Sequence, residues 1–301
     1  MQTLRGRTAV ITGAASGFGL ELARLAAREG MQLALADVQG DALERAAQEL
    51  REAGASVLAQ RVDVARADAL DALGAAVRER FGAPHLVFNN AGVGAGGLIW
   101  EHSAADWQWV LGVNLMGVVH GVRVFTPMML AAAAADAAYE GHIVNTASMA
   151  GLLCPPLMGP YNVSKHAVVA LSESLHQDLA LVTAQVRASV LCPYFVPTGI
   201  HQSERHRPAE LPAAPPTHSQ AVARAMTGKA VGGGKLSAAQ VAQLVVDAVR
   251  EQRFYIYSHP QALAGVRRRL EDLVQGCNPG DPYAERPEIG AGLRAALREG
   301  G

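Results

Sequence analysis

The chain has 301 residues, 50% hydrophobic and 18% charged, enough for a substantial buried core. Its formal net charge of −1 gives no electrostatic reason to hold a polyanion, so no nucleic-acid partner is expected. Cys154, Cys192 and Cys277 are odd in number without a Cys-x-x-Cys, and the ten histidines are scattered, so neither a disulfide framework nor a metal centre is expected.

Residues 2–7 are polar and lead straight into an apolar run, so no secretory leader and a cytoplasmic location are expected. Residues 8–11 read as a strand. They enter Thr12-Gly13-Ala14-Ala15-Ser16-Gly17-Phe18-Gly19, and residues 20–29 carry helical apolar spacing up to Gly30. Strand, glycine-rich turn and helix together suit a dinucleotide: the backbone can approach a pyrophosphate closely, and the helix start offers unpaired N–H groups. A second strand (32–36) ends at Asp37, followed by a helix (41–53) and Gly54. The Asp37 carboxylate suits the ribose hydroxyls of an adenosine and repels a 2′-phosphate. Ala14, Ala15 and Ser16 supply no compensating base, so NAD is preferred to NADP.

A third strand (57–62), a third helix (67–81) and a fourth strand (85–88) lead to Asn89-Asn90-Ala91-Gly92. Residues 104–135 form a long helical region, broken or kinked near Pro127. His120, Arg123 and Pro127 interrupt its apolar part, which reads as a buried helix rather than a membrane span. A fifth strand (141–145), a helix (164–181) and a sixth strand (188–191) follow. Residues 201–236, with Pro208, Pro212, Pro215, Pro216 and a triple glycine, are the least structured part. Ser237 caps a helix running to 251, residues 254–257 form a last strand, and the tail carries amphipathic segments at 262–274 and 289–298. Arg267-Arg268-Arg269 precedes Glu271 and Asp272 and reads as a solvated helix face. This alternation predicts an α/β, doubly wound parallel sheet, a Rossmann fold in a single domain. Gly13, Asp37, Asn90, Ser148 and Pro193 all follow predicted strands, so the site gathers at one edge of the sheet.

Tyr161 and Lys165 stand four residues apart and share a face if their run is helical. A lysine beside a phenol favours the phenolate and moves its pKa down from about 10; the lysine and an oxidised nicotinamide together would bring it towards the range of a general acid/base. Thr146-Ala147-Ser148-Met149-Ala150 is not a Gly-x-Ser-x-Gly nucleophile elbow.

Taken in order, the Gly-x-x-x-Gly-x-Gly turn, Asp63-Val64, Asn89-Asn90-Ala91-Gly92, Asn114, Ser148, Tyr161 with Lys165, and Pro193 to Thr198 resemble the short-chain dehydrogenase/reductase family over most of residues 4–260. The resemblance implies a catalytic domain over 1–260 with a substrate lid at 201–236, then a C-terminal extension over 261–301. It implies hydride transfer between NAD(H) and a small to medium, mainly apolar secondary alcohol or ketone. Tyr161 would exchange the proton and Ser148, thirteen residues earlier, would bind the same substrate oxygen. Lys165 would hold nicotinamide-ribose hydroxyls, and Asn114 a water relaying protons from Lys165 to solvent. Gly13, Ser16, Gly17, Phe18 and Gly19 would form the pyrophosphate turn. Asp63, with Val64 alongside, would meet the adenine amino group, and the backbone of Asn90 to Gly92 would border the adenosine ribose. Thr198 would bind the carboxamide beside the Val196 backbone, while Asn89 would be structural. A homo-oligomer, dimer or tetramer, is implied through the long fourth and fifth helices. Tyr194 departs from the family's usual glycine and, with Phe195, Met149, Leu152, Leu153 and Cys154, would line an apolar pocket. Alternatives are an epimerase or dehydratase with bound NAD, whose Gly-x-x-Gly-x-x-Gly turn the chain lacks, and a non-catalytic NAD-binding redox sensor, against which the full Asn114, Ser148, Tyr161 and Lys165 set speaks.

Overall fold

The structure is a computed structural model that describes residue 1 and residues 3–298. Gln2 of the polar lead-in and 299–301 of the expected extension lie outside the described residues. Among the described residues seven strands make one sheet: β1 (Thr8–Thr12), β2 (Gln32–Asp37), β3 (Val57–Arg61), β4 (Leu86–Asn89), β5 (Gly141–Thr146), β6 (Val186–Cys192) and β7 (Tyr255–Tyr257). Every pairing is parallel, in the order β3-β2-β1-β4-β5-β6-β7. All of β1 is buried, which is why it reads as an unbroken apolar run rather than an alternation. The order reverses between β1 and β4, and a crevice for ligands opens beyond the carboxyl ends of strands at such a point.

Helices α1 (Gly17–Arg28) and α2 (Gly40–Glu52) cover one face, joined by a later helix over Ala238–Arg250. Their Leu22, Leu25, Leu43 and Leu50 meet Ile11, Leu33 and Leu35 of the sheet. On the other face α3 (Ala67–Phe81), α4 (Ala104–Leu111), α5 (Gly117–Ala135) and α6 (Gly159–Val182) follow in chain order. Phe125, Met129, Leu175 and Leu179 pack there on Val10, Val87 and Ile143.

Two sequence expectations for this face need correction. Of the break or kink expected at Pro127, no break occurs: the residue lies inside α5, where packing of Phe125, Met128 and Met129 on the sheet offsets the lost N–H and the ring's clash with the preceding turn. The irregularity lies earlier, as a π turn over Gly112–Met116 between α4 and α5. Helix α6 starts at Gly159, ahead of the expected 164, with Pro160 in its first turn, where a missing N–H costs nothing. Tyr161 is therefore on the helix. Among the described residues, only Ala104–Ala135 is long and apolar enough to cross a membrane; Phe125 and Met129 pack one side of it on the sheet, and its Arg123 pairs with Asp71 at 2.8 Å.

Residues 201–236 are more ordered than expected. Two 3₁₀ turns meeting at a kink at Gln202 span Gly199–His206, and α7 (His218–Gly232) starts with a capping box in which Thr217 and Gln220 satisfy each other's backbone N–H. That Thr-x-x-Gln signature was legible beneath the proline-rich composition. Helix α8 (Ala238–Arg250) opens on a second such box, Ser237 with Gln240. The C-terminal stretch forms α9 (Leu263–Gln275) and α10 (Pro287–Arg298). Leu293 and Leu297 of α10 pack on Val222 and Met226 of α7, and His218 Nε2 lies 2.7 Å from the Ala296 carbonyl oxygen.

Candidate active site

The glycine turn joins β1 to α1 at the reversal of strand order. A Cβ on Gly13 would lie 2.9 Å from Ala91 Cα, and Gly13 has φ +66°, so the position needs glycine for both conformation and space. Ser16 sits at the N-cap of α1 without a side-chain cap bond, and the first turn holds no acidic residue. The N–H groups there remain available to an anion, so the residues present fit the pyrophosphate of a dinucleotide. A cleft of about 410 Å³ runs beside this turn, lined by Gly17, Glu21, Thr198, Gly199 and His201. It flanks the start of α1 and not Tyr161, which is only 7% exposed.

Asp37, buried at the end of β2, uses both carboxylate oxygens: one accepts the Ala15 N–H at 3.0 Å, the other the Gln39 N–H at 2.9 Å. The carboxylate thereby ties the glycine turn to the start of α2. Each oxygen keeps a lone pair for a further donor. Asp63 accepts the Ala65 N–H at 3.0 Å, and buried Val64 packs where a Cβ on Gly117 would sit. Thr12, left out of the expected site, is a hub: its Oγ1 accepts the N–H groups of Asn90 at 2.9 Å and Ala91 at 3.1 Å and donates to the Phe88 carbonyl. Asn90 Nδ2 donates to the Thr12 carbonyl at 3.0 Å. Asn89 bonds Asn145 at 2.9 Å, deep in the core, the structural place expected for it.

Ser148, Tyr161, Lys165 and Asn114 come together beyond β5. The 3₁₀ turn Met149–Gly151 presses on α6 so closely that a Cβ on Gly151 would lie 2.6 Å from the Lys165 carbonyl oxygen, which brings Ser148 to Tyr161. Burial pushes the Tyr161 phenol up to about 12, and its hydrogen bond with Ser148 pulls the other way. Lys165, also buried, donates to the Thr146 carbonyl at 2.9 Å and lies 5.6 Å from the Tyr161 ring centroid. Burial draws its ammonium down to about 8, opposed by buried Cys192 nearby. The chain's own groups do not lower the tyrosine, because desolvation outweighs a lysine turned towards a carbonyl; the expected shift also counted on an oxidised nicotinamide beside it.

Asn114 owes its place to the π turn, a feature often found at functional sites. Its Oδ1 accepts the Val93 N–H at 2.8 Å, and its Nδ2 donates to the Val93 carbonyl at 3.0 Å and to Ser164 Oγ at 3.1 Å. Gly92 lies between it and Lys165: a Cβ there would stand 3.4 Å from Asn114 Oδ1 and 3.6 Å from Lys165 Nζ. Val196 is buried, and Thr198 packs over Gly17, its Cβ 3.4 Å from where a Gly17 Cβ would be. Tyr194, 44% exposed, stands edge-on to Phe195 at 4.7 Å, an aromatic surface where the family pattern has glycine.

Residues 7–209 match the family model described as short chain dehydrogenase. The chain is 33% identical over 277 residues, 91% of its length and 95% of the other protein, to a CLA biosynthesis dehydrogenase/reductase of Lactiplantibacillus plantarum. It is 34% identical over 274 residues, 90% of its length and 89% of the other, to a 1-deoxy-11-beta-hydroxypentalenate dehydrogenase of Streptomyces exfoliatus. A crystal structure of a short-chain dehydrogenase/reductase from Burkholderia phymatum in complex with NAD superposes with TM-score 0.91 at 54% identity, over 94% of this chain and 99% of that one. The chain belongs to the short-chain dehydrogenase/reductase family and is a nicotinamide-dependent oxidoreductase acting on the CH–OH group of an alcohol or on the matching ketone.

Proposed function

We propose that the protein interconverts a mainly apolar secondary alcohol and its ketone with NAD(H), preferred over NADP(H), with Tyr161 as general acid/base. The observation that carries this reading is half-buried Ser148 grouped with buried Tyr161 and Lys165 beyond the strand ends, beside the pyrophosphate-ready start of α1. Bound nicotinamide supplies the hydride acceptor or donor. Ser148 and Tyr161 hold the substrate oxygen, and Tyr161 takes or gives its proton. Lys165 has two N–H bonds beyond the one given to Thr146, which suit the ribose hydroxyls. Tyr161, held up by burial, would come into its working range beside the further positive charge that an oxidised nicotinamide would supply. Asn114 Oδ1 keeps one lone pair for a relay water next to Lys165. Asp37 at the end of β2 supports the preference for NAD, as does the NAD complex of the 54%-identical relative. The protein works in the cytoplasm as a homo-oligomer under this reading.

The test follows absorbance at 340 nm with NAD and then NADP against a panel of aliphatic, aromatic, cyclic and steroidal secondary alcohols. Tyr161→Phe is expected to lower turnover by about 10²–10⁴-fold and leave NADH binding within about twofold. Unchanged turnover in the variant removes Tyr161 from the chemistry. Tighter binding of NADPH than of NADH removes the assignment of Asp37.

A further inference from the structure

The excursion after β6 covers two regions of the crevice with two different parts. Its first part, the two 3₁₀ turns of Gly199–His206, follows Thr198 over the glycine turn. Ser203, 4% exposed, accepts the Gly94 N–H at 2.9 Å through its Oγ, and His206 lies close enough to Asp37 to feel its charge. This part lies on the cofactor side. Helix α7 is the second part. Ala223 Cβ stands 2.8 Å from where a Cβ on Gly96 would be, and Gln220 stands 2.6 Å from that of Gly97. Ala223 also packs with Leu157, which precedes α6 and holds a positive φ of 61°. This part faces the turn leading to Tyr161, the substrate side. The link between them, 207–217, has no regular secondary structure.

One short stretch, 101–106, grips the two ends of this link with a carboxylate each: Arg207, directly after the first part and paired with its Glu204 at 2.9 Å, and Thr217, the cap of α7. Asp106 accepts Arg207 Nη2 at 2.6 Å in a pair with side chains only 11% and 8% exposed. The same guanidinium stacks 4.3 Å above Trp109, and Leu211 packs with Trp109, Val110 and Val93. Glu101 accepts the hydroxyls of Thr217 and, at 2.7 Å, Ser219; Ser219 Oγ in turn accepts the Leu98 N–H at 2.8 Å. Hydrogen bonds to carboxylates are the strong ones, and neither pair shares an atom with the other.

We propose that Glu101 and Asp106 are positioning residues forming two separate latches: Asp106 with Arg207 sets retention of the dinucleotide, and Glu101 with Thr217 and Ser219 sets retention of the substrate. An irregular link transmits little from one latch to the other. The substrate arm rests on the oxidoreductase reading; the cofactor arm needs only NADH binding.

Arg207→Met opens the first latch without uncapping α4, because Asp106 keeps the N–H and O–H of Ser103. Glu101→Ala opens the second without uncapping α7, because Thr217 still accepts the Gln220 N–H. NADH affinity is read by fluorescence titration. Substrate KM and kcat are read at saturating NAD with the alcohol turned over fastest in the panel, and amide hydrogen exchange is followed over 218–232. Arg207→Met is expected to weaken NADH binding about tenfold with KM within about twofold. Glu101→Ala is expected to raise KM about tenfold and speed exchange in α7, with kcat and NADH affinity within about twofold. Arg207→Lys and Glu101→Gln, which keep a donor and an acceptor, are expected to restore most of each loss and also serve if a first variant fails to fold. The proposal is overturned if both variants move both constants together, or if neither moves its own while thermal melts match the parent. Should the parent turn over nothing in the panel, the oxidoreductase reading fails by itself, and NADH titration and α7 exchange still decide between two latches and one.

Discussion

At Gly19 a Cβ would lie 2.0 Å from the Gly13 carbonyl oxygen and 2.8 Å from Asn90 Nδ2. Both neighbours belong to the cofactor turn and its support, so neither can yield without moving the other. Gly19→Ala is expected to cost about 1–3 kcal/mol in stability and to weaken NADH binding more than tenfold, measured by thermal melts and NADH titration. Gly40→Ala is the control, because its Cβ would meet only Arg61 Cδ at 3.6 Å. Equal NADH affinity in the two variants would refute the steric argument. The glycines, Asp37, Ser148, Tyr161 and Lys165 were legible because each is a residue type tied to a chemistry at a fixed spacing. Thr12 was visible within its motif, yet its role lies in contacts to Asn90 and Ala91, far along the chain. Glu101, Asp106 and Arg207 were illegible for the same reason: a pair 101 residues apart has no local pattern.

His142 on β5 and Ser189 on β6 join neighbouring strands through Nε2 and Oγ at 2.7 Å, and Ser189 Oγ donates to the Arg253 carbonyl just before β7. Three elements thus meet at one imidazole, whose burial holds its pKa down at about 3. The folded value lies below the unfolded value of about 6.5, so the folded state resists a proton that the unfolded state accepts. Stability from this group is intact above pH of about 6.5 and falls as pH drops towards 3, on the order of 1.4 kcal/mol per unit. His142→Asn is expected to flatten that slope, measured by denaturant unfolding between about pH 7 and 4. His85, also held low by burial, contributes to both proteins, so the difference between slopes is the test. Identical slopes would remove His142 from the acid response. At this scale short apolar runs marked the strands, and helical spacing with its stopping glycines marked the helices. The sequence misplaced the interruption of the long helical region because proline is a louder signal than the packing that tolerates it.

The molecule as a whole leaves apolar side chains at its surface, among them Met116 at the end of the π turn and Val163 on α6, at 39% and 46% exposure. With the long α5 and α6 they support the proposed self-association. Light scattering is expected to return a dimer or tetramer of the 31.5 kDa chain, and a monomer mass at micromolar concentration would dismiss it. Parallel pairing and helices on both faces followed from alternating elements, whereas the strand order itself came only with the structure. The packing of α10 on α7 did not follow, because an amphipathic helix specifies that it must be covered but not by what.

The π turn at Gly112–Met116 also puts α4 and α5 out of phase. One residue more than a regular turn amounts to a rotation of about 100° between the two halves of a continuous rod. Before the turn, Trp109 and Val110 look towards Val93; after it, Phe125 and Met129 look onto the sheet. Asn114 sits where the phase slips, and both halves are pinned independently. Helix length is therefore quantised here. Losing a single residue between 111 and 117 would bring the halves back into step and force one of the two packed faces, or the asparagine itself, to point the wrong way.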